Sequence, residues 1–210
     1  MITLYTWTTP NGRKASIMLE ETGLAYTVVP VNIGKDEQFT PVFLAVSPNN
    51  KIPAIVDEEG VDRRQSVFET AAILTYLAEK TGRLLPAHGP RRFETLEWLA
   101  WSISGLAPML GQWNYFANRA KDKTPAAIER FTVEAARLFG VLERRLAEAT
   151  YLAHDYSIAD ISTYTWTAAI LPGFRAADPD ALGPTPHIDR WLDEIAARAA
   201  VQRGMKVPQV

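Results

Sequence analysis

The spacing of apolar residues changes along the chain and divides it into two parts. Up to about residue 80, short runs rich in β-branched and aromatic residues alternate with segments of helical period. Residues 2–7 and 26–31 are such runs, and they enclose residues 11–22, where apolar side chains recur every three or four positions before Gly23. A helix of this length between two strands predicts a βαβ unit with parallel strands.

The rest of this first part predicts four more elements. They are a short helix at 41–46 within a polar, proline-interrupted stretch, two antiparallel strands at 54–57 and 66–68 joined by a turn at 58–60, and a helix at 69–80. The order of elements is therefore βαβ, then α, then ββα.

From residue 91 onward the pattern is helical, and no strand is predicted. Residues 126–147 form the clearest amphipathic helix, with apolar side chains every three or four positions. The sequence thus predicts an α/β domain at 1–82, a linker rich in glycine and proline at 83–90, and an all-α helical bundle at 91–210.

Charge and composition narrow the function classes. The 22 lysines and arginines against 24 aspartates and glutamates leave a net charge of -2, so we expect no nucleic-acid partner. The most apolar stretches, 98–111 and 161–174, are 14 residues each, and a membrane span needs about 20. We expect no membrane association and, because residues 1–10 lack the pattern of a secretory signal, a cytoplasmic location.

The chain contains no cysteine, which excludes disulfides, thiolate metal sites and cysteine nucleophiles. Any thiol chemistry would have to use a bound thiol. The three histidines, His88, His154 and His187, have no ligand spacing, so no metal site is predicted.

Three short motifs each have a structural and a functional interpretation. Residues 8–12, Thr-Thr-Pro-Asn-Gly, are either an ordinary helix N-cap or an anion or thiolate site where N–H groups, the helix dipole and short polar side chains converge. Pro53 either begins a strand or follows a cis bond that turns the Ile52 backbone towards a peptide ligand. Glu69 and Thr70 are either first-turn residues of a helix or a site for an amino-acid group, with Glu69 on the ammonium and Thr70 on the carboxylate.

The helical part offers fewer candidates. Ser157 and Asp160 have the spacing of a capping box, which we interpret as structural. Trp98 and Trp101 are best explained as core or interface residues. Trp113 and the aromatic residues after it either belong to the core or line an apolar pocket, and the sequence leaves both open.

With its segments in this order, the chain resembles the cytosolic glutathione transferase family, in which a thioredoxin-like amino-terminal domain precedes an all-helical domain. The resemblance covers nearly the whole chain and is strongest to the nu-class bacterial disulfide-bond reductases. The motifs that carry it are TPNGRK, GKDEQF, SPNNKIPAIVD, FETAAILTYLAEKTG, PMLGQ, AIERF and YSIADI.

The resemblance implies a glutathione site. It makes Thr9 and Asn11 the donors to the thiol, and a rival assignment within the wider family would use Tyr5 or Thr8 instead. The implied contacts to the rest of the tripeptide are Lys51 for the glycine carboxylate, the Ile52 backbone for the cysteinyl unit, and Glu69, Thr70, Gln38 and Arg130 for the γ-glutamyl end. Relatives usually have Glu-Ser where this chain has Glu69-Thr70, and threonine keeps the hydroxyl.

The same resemblance implies a homodimeric enzyme that reduces small disulfides with glutathione as co-substrate, with peroxide reduction beside it. A second-substrate pocket would be formed by Trp113, Asn114 and Tyr115. Two alternatives remain: a transferase that conjugates glutathione to small electrophiles, and a non-catalytic dimeric binding module. We expect the dimer contact around Phe93, Leu96 and Trp98.

Overall fold

The computed structural model describes residues 1–60 and 63–210. It groups them into two compact units, one formed by Met1–Ala87 together with Ala196–Val210, the other by His88–Ile195. The first unit therefore uses two separate pieces of chain, whereas the sequence predicted contiguous segments with 91–210 as one domain.

A four-stranded sheet in the order β2-β1-β3-β4 organises the first unit. Strand β1 pairs in parallel with β2 and antiparallel with β3, which pairs antiparallel with β4. The predicted parallel βαβ unit and antiparallel hairpin are confirmed. The strands are β1 (Ile2–Thr6), β2 (Tyr26–Pro30), β3 (Ala54–Gly60) and β4 (Arg63–Phe68).

The turn predicted at residues 58–60 is wrong, because these residues continue β3. These polar residues coincide instead with an irregularity in the strand pairing, because the β3–β4 register shifts between Asp57 and Gly60. The Asp57 carboxylate accepts the Glu59 N–H at 3.0 Å, so a local turn-like bond is absorbed within the hairpin as a bulge.

The helices of the first unit begin and end where local signals predict. Helix α1 starts after Thr9, has proline at its first position, and ends at Gly23, whose φ of 72° glycine adopts without strain. Short 3₁₀ turns lie at Ile33–Lys35 and Glu37–Phe39. The helices are α1 (Pro10–Thr22), α2 (Pro41–Leu44), α3 (Thr70–Thr81) and, from the second piece of chain, α9 (Ala199–Gly204).

Buried apolar residues on both faces of the sheet hold this unit together. Leu4 and Ile55 of the sheet and Leu74 of α3 are fully buried. On α3, Tyr76 donates to Asp57 at 2.8 Å, and Lys80 pairs with the same carboxylate at 2.8 Å. Burial would raise the pKa of Asp57, but the hydrogen bonds from Lys80, Glu59 and Tyr76 keep it below its usual range.

The described residues of the second unit form helices joined by loops, with one isolated bridge between Ala153 and Asp155. Helix α6 matches the amphipathic pattern predicted for 126–147 and buries Leu138, Phe139 and Leu142. Two π-helical turns, Ser102–Leu106 and Tyr115–Arg119, flank α5. The helices are α4 (Pro90–Trp101), α5 (Ala107–Asn114), α6 (Pro125–Glu148), α7 (Ile158–Ala177) and α8 (Pro186–Ala196).

Candidate active site

One end of the sheet collects most of the residues that the sequence singled out. Tyr5 near the end of β1 pairs with Ala54 at the start of β3, and Ala54 pairs with Phe68 at the end of β4. The chain segments that leave or enter these strands are therefore neighbours: the α1 start, the loop that leads into β3, and the α3 start. Topology alone thus brings the residues around positions 9, 52 and 69 to one edge.

Thr9 caps the first helix. Its extended backbone (φ -123°, ψ 159°) lets its hydroxyl oxygen accept the Gly12 N–H at 3.0 Å, while the Arg13 N–H bonds to the Thr9 carbonyl at 3.0 Å. The bond from Gly12 uses a lone pair of the Thr9 oxygen and leaves the hydroxyl proton available for donation. The first turn of α1 carries no acidic side chain, so nothing in that turn neutralises the positive end of the helix dipole.

Gly12 presses this helix end against the end of β1. A Cβ atom at Gly12 would lie 2.2 Å from the Trp7 carbonyl oxygen and 2.5 Å from Thr6 Oγ1, which is closer than real side chains come. The third helical position, where many helices place an acidic residue, is therefore closed to every residue but glycine.

Asn11 and Lys14 lie three residues apart, on one face of α1. Asn11 is partly exposed and brings a carboxamide and a backbone N–H to the helix start. Lys14 is 1% exposed, and burial lowers its pKa to about 7. A helix start whose first turn carries no acidic side chain is suited to an anion.

Glu69 joins the β3 entry loop to α3. Asn49 Nδ2 donates to Glu69 Oε1 at 3.0 Å, and the Ile73 N–H bonds to the Glu69 carbonyl at 2.9 Å. Glu69 has a φ of 68°, a conformation that residues with a Cβ rarely adopt and that costs of order 1–3 kcal/mol. The exposed carboxylate keeps its second oxygen for another donor. Strain of this kind tends to occur at binding sites.

Ile52 and Thr70 present polar groups beside Glu69. The Ile52–Pro53 peptide bond is cis, and no described residue bonds to the Ile52 backbone. The Ile52 side chain packs against the apolar cluster that contains Phe43 and Val56. Thr70, the first residue of α3, is 9% exposed, and no described residue bonds to its hydroxyl.

Lys51 and Gln38 complete the predicted set in this unit. The Lys51 side chain is exposed, and its carbonyl accepts the Ser47 hydroxyl at 2.8 Å. Gln38 lies in the second 3₁₀ turn, where its amide nitrogen reaches Asp36 at 3.4 Å. Its Oε1 is buried and has no partner among the described residues. A buried acceptor without a donor is unusual, and a ligand donor would satisfy it.

Tyr5, one of the rival sulfur partners, is partly buried in the apolar cluster on the α2 side of the sheet. Its ring lies 6.2 Å from that of Phe43. The other rival, Thr8, is exposed in the bend before the N-cap.

The helical unit places its predicted residues in different surroundings. Trp113 is 2% exposed, packs on Phe174 at 5.1 Å between ring centroids, and donates its N–H to Thr132. Packing explains this side chain, so its assignment to a second-substrate pocket needs correction. Tyr115 is 52% exposed, and Asn114 accepts a hydrogen bond from Asn118; both remain candidates.

Arg130 is exposed on α6, beside a cleft of about 560 Å³ that Met109 and Phe131 also line. A hydrogen bond from Arg137, together with the charge of Arg130, lowers the pKa of Glu134. The cleft is thus lined by the Arg130 guanidinium together with the carboxylates of Glu129 and Glu134.

Sequence reasoning missed two residues of this arrangement. Asn49 has no role that local sequence indicates, because its bond to Glu69 joins two segments 20 residues apart. Gly12 looks like an ordinary loop residue, although a glycine three residues after a threonine N-cap is a signal that the capping-box position is empty. Within residues 1–60 and 63–210, no cluster of three or more His, Asp or Glu could hold a metal ion.

A βαβ-α-ββα unit whose first helix starts without an acidic residue, followed in the chain by a helical unit, defines a thioredoxin-like class of protein. The family models for the glutathione S-transferase N-terminal and C-terminal domains match residues 1–79 and 106–199. The chain belongs to the glutathione S-transferase family. No helix among the described residues has the length and hydropathy needed to cross a membrane.

Full-length relatives agree with this assignment. The disulfide-bond oxidoreductase YfcG of Escherichia coli (strain K12) is 43% identical over 213 residues, covering 100% of this chain and 97% of the relative. A solved glutathione transferase from Pseudomonas putida, with one glutathione disulfide bound per subunit, is 40% identical with a TM-score of 0.93, covering 99% and 91% of the two chains. Another from Burkholderia graminis, with two glutathione molecules per subunit, is 41% identical with a TM-score of 0.93, covering 99% and 88%.

Proposed function

We propose that this protein is a glutathione-dependent disulfide-bond reductase that binds glutathione at the sheet edge formed by the starts of α1, β3 and α3. The observation that carries the proposal is the α1 terminus, where Thr9 caps the helix and the first turn holds no acidic residue. A chain without cysteine needs a thiol from a ligand. The disulfide-bond oxidoreductase relatives and the glutathione bound in solved relatives support this reading.

The tripeptide fits the groups at this edge. Its cysteinyl unit pairs with the Ile52 backbone, because that backbone has no partner among the described residues. Its glycine carboxylate meets Lys51. Its γ-glutamyl ammonium meets the open oxygen of Glu69, and the neighbouring carboxylate meets the hydroxyl and N–H of Thr70 at the start of α3. Gln38 and Arg130 are further contacts to this end of the ligand.

The sulfur then lies at the start of α1, where it must be ionised at neutral pH. A free thiol has a pKa of about 8.5, and lowering it by roughly two units requires about 2.7 kcal/mol of preferential thiolate stabilisation. A helix N-terminus typically contributes about 0.3–1 kcal/mol. Hydrogen bonds from Thr9 O–H and Asn11, at about 1.5–3 kcal/mol for a charged acceptor, supply the remainder.

The reaction proceeds by two exchanges. The bound thiolate attacks one sulfur of the substrate disulfide, forming a mixed disulfide and releasing the other half as a thiolate that takes up a proton. A second glutathione thiolate attacks the glutathione sulfur of the mixed disulfide. Oxidised glutathione forms, the second half of the substrate leaves as a thiol, and two electrons pass from two glutathione molecules to one disulfide.

The experiment that tests the proposal is a pH–rate profile with saturating glutathione and 2-hydroxyethyl disulfide. Asn11→Ala and Thr9→Ala each raise the pKa of the bound thiol, slow the reaction at neutral pH, and recover partly at alkaline pH. Thr8→Ala is the matched control, because Thr8 is the exposed neighbour of the cap. Glutathione binding without any turnover would instead support the non-catalytic module.

A second candidate activity is conjugation of glutathione to small electrophiles, which the match to both glutathione S-transferase domain models favours. The same thiolate would attack an electrophilic carbon. Comparing kcat/KM for the disulfide with that for 1-chloro-2,4-dinitrobenzene ranks the two activities, and a peroxide substrate in the same assay measures peroxide reduction.

Calorimetry with the substituted proteins tests the binding mode. Glu69→Ala weakens glutathione binding more than Lys51→Ala, because a carboxylate on an ammonium in a partly enclosed site contributes about 1.5–3 kcal/mol and an exposed lysine about 0–1 kcal/mol. Negligible losses in both variants would sink the assignment.

The proposal includes a homodimer that meets around Phe93, Leu96 and Trp98 of α4, where Phe93 is 63% exposed. Light scattering tests it, and a mass near 23.4 kDa at micromolar protein would refute it. A cytoplasmic location suits an enzyme that consumes reduced glutathione, because that compartment keeps its thiol pool reduced.

A further inference from the structure

The last part of the chain packs against the helix that starts at the thiol site. Residues Ala196–Val210, which we name the carboxy-terminal segment, belong to the same compact unit as α1, and α9 lies along α1. The segment has no role in the glutathione site described above. Its contacts with α1 are unusually close, and they involve backbone atoms.

The closest approach is between Gly204 and Ile17. A Cβ atom at Gly204 would lie 2.6 Å from the Ile17 Cα and 2.7 Å from its nitrogen, so only glycine allows the two helices to come this near. The Ser16 hydroxyl donates to the Gly204 carbonyl at 2.7 Å in a buried bond. The middle of α1 is therefore joined to the segment by backbone contact and by a hydrogen bond that excludes water.

Ion pairs extend this contact towards the end of α1. Arg198 binds Glu21 through two nitrogens at 2.6 and 2.9 Å, and the Glu21 side chain is 6% exposed. Arg203 binds Glu20 at 2.6 Å. The last turn of α1 has no basic residue of its own, so these arginines supply the positive charge that favours a helix C-terminus.

Helix α1 is thus held at two points. Gly12 fixes its first turn on the Trp7 carbonyl, and the carboxy-terminal segment fixes its middle through Gly204. Contact at two points sets both the tilt of a helix and its position along its axis. Because close-packed interiors transmit displacements rather than absorb them, a shift of α1 at Ile17 reaches the donors at its first turn.

We infer that the carboxy-terminal segment positions α1 for catalysis, with Gly204 and Ser16 as positioning residues that place the Thr9 and Asn11 donors on the glutathione sulfur. The inference rests on the proposed function, because it assigns these donors to the thiolate. Small displacements matter here, since a misplacement of about 1 Å can cost about a hundredfold in rate.

The test is Gly204→Ala, measured by the pH–rate profile and by the ultraviolet absorbance of the bound thiolate. The added Cβ pushes α1 from its place, and we expect the pKa of the bound thiol to rise by about one unit and kcat at neutral pH to fall about tenfold, with recovery at alkaline pH. KM for glutathione changes less than about threefold, because its main contacts come from β3 and α3. Gly173→Ala is the matched control, a helical glycine with open space around it.

Ser16→Ala keeps the inference testable if Gly204→Ala does not fold. It removes the buried bond without adding an atom, and we expect a thiol pKa shift of the same sign and about half the size. An unmoved thiol pKa in a folded variant, with the wild-type pKa depressed, overturns the positioning role alone. A wild-type thiol pKa near that of free glutathione overturns the proposed function and this inference together.

Discussion

Helices α1 and α7 begin with the same local chemistry and use it in opposite ways. Each has a hydroxyl N-cap, Thr9 in α1 and Ser157 in α7. Three residues later α7 has Asp160, which accepts the Ser157 N–H at 3.0 Å and closes a capping box. At the same position α1 has Gly12, where a side chain has no room. One helix end is neutralised by its own carboxylate, and the other stays open to a ligand.

The carboxylate at α7 is fully satisfied by its surroundings. Asp160 also accepts the Leu152 N–H at 3.0 Å and the Trp191 indole N–H at 2.9 Å, and burial raises its pKa to about 6. No part of it is left for an external molecule. The comparison teaches that a carboxylate at the third position of a helix stabilises the fold, and that a steric constraint at that position leaves the helix start without a carboxylate of its own.

The largest effect is expected when the carboxylate that caps the start of α7 is removed. Asp160→Ala leaves the buried donors of Leu152, Ser157 and Trp191 without an acceptor, at about 1–3 kcal/mol each. We expect the free energy of unfolding in urea to fall by about 3–6 kcal/mol. Asp193→Ala is the control, because Asp193 is exposed on α8. A loss below about 1 kcal/mol would mean that the hydrogen bonds accepted by Asp160 do not stabilise the fold.

A smaller effect concerns Lys14, a buried base in the same helix α1. Burial lowers the pKa of Lys14 from 10.5 to about 7, so between these values the folded protein binds fewer protons than the unfolded chain. The free energy of unfolding therefore rises with pH in that window, by up to about 5 kcal/mol from this group. Lys14→Met, with similar volume and no titration, flattens the profile. Denaturation curves at a series of pH values show whether the free energy of unfolding rises with pH in the wild type and stays level in Lys14→Met.

The next largest effect is expected when a carboxylate is introduced into the first turn of α1. Asn11→Asp is isosteric and places a negative charge in the first turn of α1, so it stabilises the helix by about 0.3–1 kcal/mol. It also repels the glutathione thiolate, and we expect the bound-thiol pKa to rise by about two units. A variant that is more stable but has a raised thiol pKa would show that the first turn of α1 serves binding rather than stability. A folded variant that keeps the wild-type thiol pKa would contradict the contrast drawn between α1 and α7.

The two N-cap hydroxyls give a more modest contrast. Ser157→Ala and Thr9→Ala each lose a cap and about 0.5–2 kcal/mol of stability. Only Thr9→Ala changes the pH–rate profile, and Thr9→Ser restores it because serine keeps the hydroxyl. The measurement pairs thermal unfolding with the pH–rate profile for all three variants.

The smallest effect is expected at Tyr5, whose ring packs with Phe43. Tyr5→Phe changes kcat/KM less than about twofold, which corresponds to less than about 0.5 kcal/mol. If this variant abolished activity, the thiolate would depend on the Tyr5 hydroxyl, and the assignment of Thr9 and Asn11 as its donors would be wrong.

Local signals in the sequence predicted much of this architecture. Gly23 marks the end of α1, and Ser157 with Asp160 marks the start of α7, because each signal acts within a few residues of the backbone it satisfies. The class of the site was implied by the resemblance to glutathione transferases, whereas the absence of cysteine and the motif around Thr9 left an ordinary helix N-cap open as well.

Contacts between distant segments were beyond such reasoning. Gly204 meets Ile17 across 187 positions, and nothing near either residue marks the other. The bulge near Gly60 depends on pairing with β4. Trp113 faces the core because Phe174 and Thr132 lie there, and the direction in which a helix turns its aromatic residues depends on its partners.

The absence of room for a side chain at Gly12 also makes the stability of this protein depend on the concentration of glutathione. In the proposed function the glutathione thiolate completes the start of α1, which has no anion of its own at its first turn, and the bound chain is then more stable than the empty one. At a hundredfold excess of glutathione over its Kd the gain is about 2.7 kcal/mol. A cell depleted of glutathione would hold more of this protein in locally open forms, which proteases cut first.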